Sequence, residues 1–199
     1  MTDLPDTVNV MIRFPETLPG PTFSGLWTPN AAERHAAWEM CIELSTRVAV
    51  VPLRNNEGLL NEALGSMHAI FGETRAILRG NGPDLAIHRR GELSFAVLAG
   101  HMLNQVLRPV TAFWHPRLAQ WTDSCEKSMG ALEKEKSFPD HQRLRDILDA
   151  IRTPLTDFAT VFAEASGAQE FLRIQLDNET RLYERFRREH VQAGEAAPT

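Results

Sequence analysis

The sequence predicts an all-α fold: an up-and-down helical bundle of four main helices with one or two additional helices, preceded by an extended Pro-rich N-terminal arm. Three observations lead there. From about residue 30 onward, apolar residues recur at spacings of three and four rather than two. Breakers at Pro52, at Gly80-Asn81-Gly82-Pro83 and at Ser137-Phe138-Pro139 cut this stretch into long segments with short connections, so that successive helices are expected to lie antiparallel. The composition, 43% apolar and 24% charged, is that of an ordinary globular chain, and 199 residues suffice for one well-buried core. The expected organisation is therefore an arm over 1–29, a helical domain over 30–191 and a flexible tail over 192–199.

The arm carries Pro5, Pro15, Pro19, Pro21 and Pro29, with Gly20 and Gly25 as further breakers. Its stretch TVNVMIRF, 7–14, alternates enough for one short strand, with no convincing second strand to pair with it. Phe14, Phe23, Leu26 and Trp27 give the arm an apolar side, for which its own bundle is a more natural seat than a neighbouring subunit.

A first helix starts near 30, either from Thr28-Pro29 as cap and first helical proline or from a capping box of Asn30 with Glu33. Ala37, Cys41, Leu44, Val48 and Val51 form its apolar stripe, Glu43 is placed to pair Arg47, and Pro52 ends it. The second helix, about 57–79, has the clearest pattern, with Leu60, Leu64, Met67, Phe71, Thr74 and Leu78 in a row flanked by Ala63, Ile70 and Ile77. The third, about 92–114, is apolar nearly all round and is expected to be the most buried. A fourth covers about 116–136, with Leu118, Thr122, Cys125, Met129 and Leu132 inward and a solvated end at Glu133-Lys134-Glu135-Lys136. In the fifth, about 139–165, Leu144, Leu148, Ile151, Leu155, Phe158, Phe162 and Ala165 make a heptad-like stripe that Pro154 must kink. The sixth, about 168–190, is heavily charged.

The stretch AFWHPRLAQW, 112–121, draws attention because rings, a histidine, a proline and an arginine crowd together just after Arg108-Pro109. Pro109 and Pro116 predict a kink at Arg108 and an end or bend near His115. One reading is a helix corner plugged by Trp114 and Trp121, whose indole N–H groups then need partners. The other is a mouth in which Arg108, His115 and Arg117 grip an anionic ligand or a partner's carboxylate beside those indoles. A second polar line, Asn61, Gly65, His68, Gly72 and Arg75, follows one flank of the second helix. Glycine there costs about 1 kcal/mol against alanine, which suggests close approach of another segment or of a ligand, with close packing the simpler cause. His101, Asn104 and Arg108 make a comparable line on the third helix. If the lines face each other, His68, Arg75, His101, Asn104 and Arg108 form a cationic pocket in the bundle core.

Other chemistry finds no motif. No glutamate has a histidine three residues on, as a carboxylate-bridged di-iron bundle requires, and neither His-x-x-x-His nor Cys-x-x-Cys occurs, so neither a metal nor another cofactor is expected. There is no Gly-x-Ser-x-Gly elbow and no phosphate-cradling loop, so catalytic residues are unknown and the reading leans away from an enzyme. A net charge of −5 argues against general nucleic-acid binding, and the last helix interleaves Arg181, Arg185, Arg187 and Arg188 with glutamates. No apolar run approaches the roughly 18 residues of a membrane span, the N-terminus lacks a secretory pattern, and two cysteines fit a reducing compartment, so a cytoplasmic setting is expected. The functional expectation is a non-catalytic protein-interaction or accessory module, joined to a protein partner or to itself. Removing residues 1–28 is then expected to weaken association and leave helicity intact. The alternative is a protein or enzyme that takes a small anionic molecule into the His/Arg pocket.

Overall fold

The computed structural model describes residues 4–18, 20, 22–47, 58–87 and 91–190, and is mostly helical with one small sheet. Two strands, β1 (Val8–Ile12) and β2 (Phe23–Trp27), precede α1 (Ala31–Ser45) and α2 (Leu60–Asn81), which ends in a 3-10 turn over Gly82–Ala86. Then come α3 (Phe95–His101), a π-helical segment (Met102–Leu107), α4 (Arg108–Ser124), α5 (Ala131–Lys136), α6 (His141–Ala150), α7 (Arg152–Ser166) and α8 (Gln169–His190).

The capping box decides where α1 starts. Asn30 Oδ1 accepts the Glu33 N–H at 2.9 Å and Glu33 Oε2 accepts the Asn30 N–H at 2.9 Å, satisfying two donors reciprocally where Thr28-Pro29 would satisfy one. Glu33 is only 1% exposed, and its other oxygen accepts the Trp27 indole N–H at 3.2 Å and the Phe95 backbone N–H at 2.8 Å. One buried carboxylate thus joins the end of β2 and the starts of α1 and α3.

The N-terminal segment holds two strands, where the sequence suggested one. β1 and β2 pair antiparallel from Val8↔Trp27 to Ile12↔Phe23. FSGLW escapes a propensity reading because Ser24 and Gly25 are poor strand formers and the connection is too long for a tight-turn signal. Gly25 is there for close approach: a Cβ at this position would sit 2.9 Å from a Leu93 methyl, beside the Leu93 N–H that donates to the Leu26 carbonyl at 2.8 Å.

The hairpin seats on its own chain. Val8, Val10, Ile12 and Trp27 are buried in the same core as the helices, with the Trp27 ring edge-on to Phe162. Arg13 closes the seat on α7, its backbone N–H and guanidinium both donating to the buried Asp157 carboxylate at 2.5–3.0 Å. Arg34 reaches the carbonyls of Pro5 and Ala165, each at 2.7 Å. Removing residues 1–28 would strip four side chains from this core, so a deletion that spares helicity is not available.

The helical stripes fall as the periodicity predicts along α1, α2 and 144–165, and α1 packs on α7 and α2. Glu43 pairs Arg47, which also reaches Glu73 of α2. Val48, Val51 and Pro52 lie outside the described residues. The expected third and fourth helices are instead one rod from Phe95 to Ser124, running through both prolines. Just before Pro109 the turn widens, the Arg108 N–H donating to the Leu103 carbonyl five residues back. Pro116 and the Ala112 carbonyl it leaves unbonded lie on an exposed face where water can serve that carbonyl.

The rod ends at Ser124, whose hydroxyl turns back to the Trp121 carbonyl. Cys125 and Met129 are therefore only half-buried in the following turn, and Leu132 is exposed, contrary to the inward stripe expected of them. Glu135 is not solvated with its charged neighbours: it is buried and caps α2, accepting the N–H groups of Leu60 at 2.6 Å and Asn61 at 2.9 Å. The fifth helix divides into α6 and α7 at Ile151. Pro154 lies in the first turn of α7, where its missing N–H costs nothing, and the residue whose carbonyl its ring would strike, Ala150, is the last of α6.

Replacing Glu33 by alanine is expected to lower stability to urea by about 3 kcal/mol, since two buried donors and one part-buried donor lose their acceptor, and Glu33→Gln by about half as much. An unchanged denaturation midpoint in the alanine variant would contradict this role.

Candidate functional site

The flank of α2 and the outer face of the rod converge as the two polar lines suggested, but at the surface rather than in the core. His68, Phe71 and Arg75 of α2 and Arg108, Thr111 and Ala112 of α4 line an open groove of about 170 Å³. Its floor is the ring of Phe71, 5% exposed, with the Arg75 Cζ 5.8 Å and the Arg108 Cζ 5.4 Å from the ring centroid. His115 continues the groove, its ring 6.1 Å from that of His68, which lies 5.9 Å from Phe71. Asn104 does not face the opening as a separate donor. Its Oδ1 accepts the Arg108 Nε–H at 2.9 Å and holds that side chain along the helix.

Several arginines elsewhere find carboxylates: Arg13 on Asp157, Arg47 on Glu43, Arg173 on Glu170 and Asp177, Arg185 on Glu189, whereas among the described residues Arg79 and Arg117 do not. Among the described residues no carboxylate pairs with Arg75 or Arg108, although the chain carries a net charge of −5. Arg75, Arg108 and His68 are exposed and His115 is half-buried. Gly65 and Gly72 flank His68 on the same line, and a Cβ at either would meet nothing within 4 Å. Close packing within this chain, the simpler cause in the sequence, does not account for these two glycines.

The other residues singled out by sequence lie elsewhere. His101 stacks on Phe23 of β2 at 4.1 Å and belongs to the hairpin seat. Trp114 is buried, and Trp121 donates its indole N–H to the Lys134 carbonyl at 3.1 Å and Ser137 Oγ at 3.3 Å, both rings packing on Phe138. They form a joint between α4 and the α5–α6 connection, and no helix corner falls at 112–121, because α4 runs on through Pro116. Arg117 covers its neighbour Phe113, with its guanidinium 3.5 Å from the ring centroid and a bond to the Phe113 carbonyl. The residue missed by sequence is Phe71, assigned wholly to the core stripe. Its place one turn before Arg75 was the available signal.

Chemically the groove can grip anions. Among the described residues no group of three or more His, Cys, Asp and Glu is arranged to hold a metal ion, and no helix is long and apolar enough to cross a membrane. Burial pushes the Cys41 thiol up to about 11, which keeps it protonated and unreactive near neutral pH. Comparison with protein-family models, with curated proteins and with solved structures finds no match to this chain.

In the native protein Cys125 is expected to react promptly with an aromatic disulfide reagent and Cys41 only after denaturation. Prompt titration of both thiols would contradict the packing around α1.

Proposed function

We propose that this chain is a non-catalytic interaction or accessory module that binds an anionic segment of a partner protein through the groove between α2 and α4. The observation that carries the reading is the pair of guanidiniums, Arg75 and Arg108, both over one buried ring and both without a carboxylate partner. Arginine and aromatic anchors at a water-poor floor are what protein interfaces use for their strongest contacts. The helical body, read as an up-and-down bundle, serves as the rigid support, and we place the module in the cytoplasm, where Cys41 and Cys125 stay reduced.

Size separates this from the alternative of a free small-molecule ligand. Pockets that bury a metabolite hold roughly 300–1,000 Å³, whereas this groove holds about 170 Å³ and is open. It suits one anionic group presented by a larger body. Gly65 and Gly72, with open space above them, leave room for that body's backbone along α2.

The test is fluorescence anisotropy with a labelled Asp/Glu-rich decapeptide at low salt. The expected result is saturable binding that weakens at least ten-fold in the double variant R75A/R108A and is unchanged in R181A/R188A on α8. Equal loss in both variants, or no loss in either, would contradict the assignment of the surface.

A further inference from the structure

We infer that the groove is shaped for a phosphoryl group carried on a phosphorylated side chain of the partner, an inference that rests on the reading above. A carboxylate offers one charge and two oxygens, which a single guanidinium fork satisfies. A phosphomonoester offers close to two charges and three acceptor oxygens. The groove brings two forks into one compartment, Arg75 from α2 and Arg108 from α4, with the His68 and His115 rings beside them.

The two arginines are also prepared for that use. Asn104 accepts from Arg108 Nε and leaves both terminal nitrogens of Arg108 as donors. The widened turn over Met102–Leu107, which ends at Arg108, sets the phase of the face that carries Asn104, Arg108 and His115. Phe71 beneath them excludes water from one side, which strengthens a charge-assisted bond made there. Neither line of residues along the groove holds a carboxylate that would repel a dianion.

Other bearers of phosphate fit less well. Among the described residues no large exposed apolar side chain lines the opening to anchor it to a lipid surface. A single compartment is also not the extended basic track that a nucleic-acid backbone requires.

The experiment compares three forms of one labelled decapeptide, with phosphoserine, glutamate or serine at its centre, on the full chain. The phosphoserine form is expected to bind at least ten-fold more tightly than the glutamate form. R75K/R108K, which keeps the charge and loses both forks, should abolish that preference, and N104A should reduce it about three-fold with an unchanged melting temperature. Equal affinity of the phosphoserine and glutamate forms, both above serine, overturns the phosphoryl inference and leaves the anionic-partner reading standing. Three equal affinities overturn both. Inorganic phosphate binding as tightly as the phosphopeptide, or vesicles containing a phosphoinositide binding where the phosphopeptide does not, overturns the assignment to a partner protein.

Discussion

Burying the Glu33 carboxylate would cost several kcal/mol unless its oxygens regained the hydrogen bonds lost with water. Three donors from three parts of the chain meet that demand: the Trp27 indole, the Asn30 amide and the Phe95 amide. Because each donor fixes the element that carries it, the hairpin, the first helix and the long rod are held at one point. The rod starts at this point, and the widened turn over Met102–Leu107 then sets which of its faces meets α2.

The same device recurs with other acids. Asp157 holds β1 through Arg13, and Glu135 caps α2 from a distant part of the chain. Carboxylates placed at such joints, and others paired along α1 and α8, are not available to the groove. Arg75 and Arg108, like Arg79 and Arg117, therefore have no carboxylate partner among the described residues. Their positions over Phe71 give them apolar support without an internal counter-ion.

Much of this was legible in the chain. The Asn30–Glu33 box, the α2 stripe and the run from Leu144 to Ala165 follow local rules of capping and period, and tertiary packing leaves them unaltered. The second strand was not legible, because Gly25 is chosen for its approach to Leu93, sixty-odd residues away. The course of the rod through Pro109 and Pro116 was hidden too, since a widened turn and an exposed face remove the usual penalty. That turn also explains the partial success at the site. Residues on its far side, Arg108 and His115, keep their helical phase with each other and meet His68 and Arg75. His101 precedes the turn, so the projected line from it to Arg108 does not hold, and it faces Phe23 instead.

The central claim is that the α2/α4 groove is this protein's binding surface. It is tested most directly by nuclear magnetic resonance, following the arginine side-chain Nε–H signals and the backbone amides during titration with the phosphoserine peptide. The account predicts saturable shifts confined to residues 65–75 and 104–115, led by Arg75 and Arg108. Shifts centred on Arg181 and Arg188 of α8, or spread evenly over the surface, would contradict it.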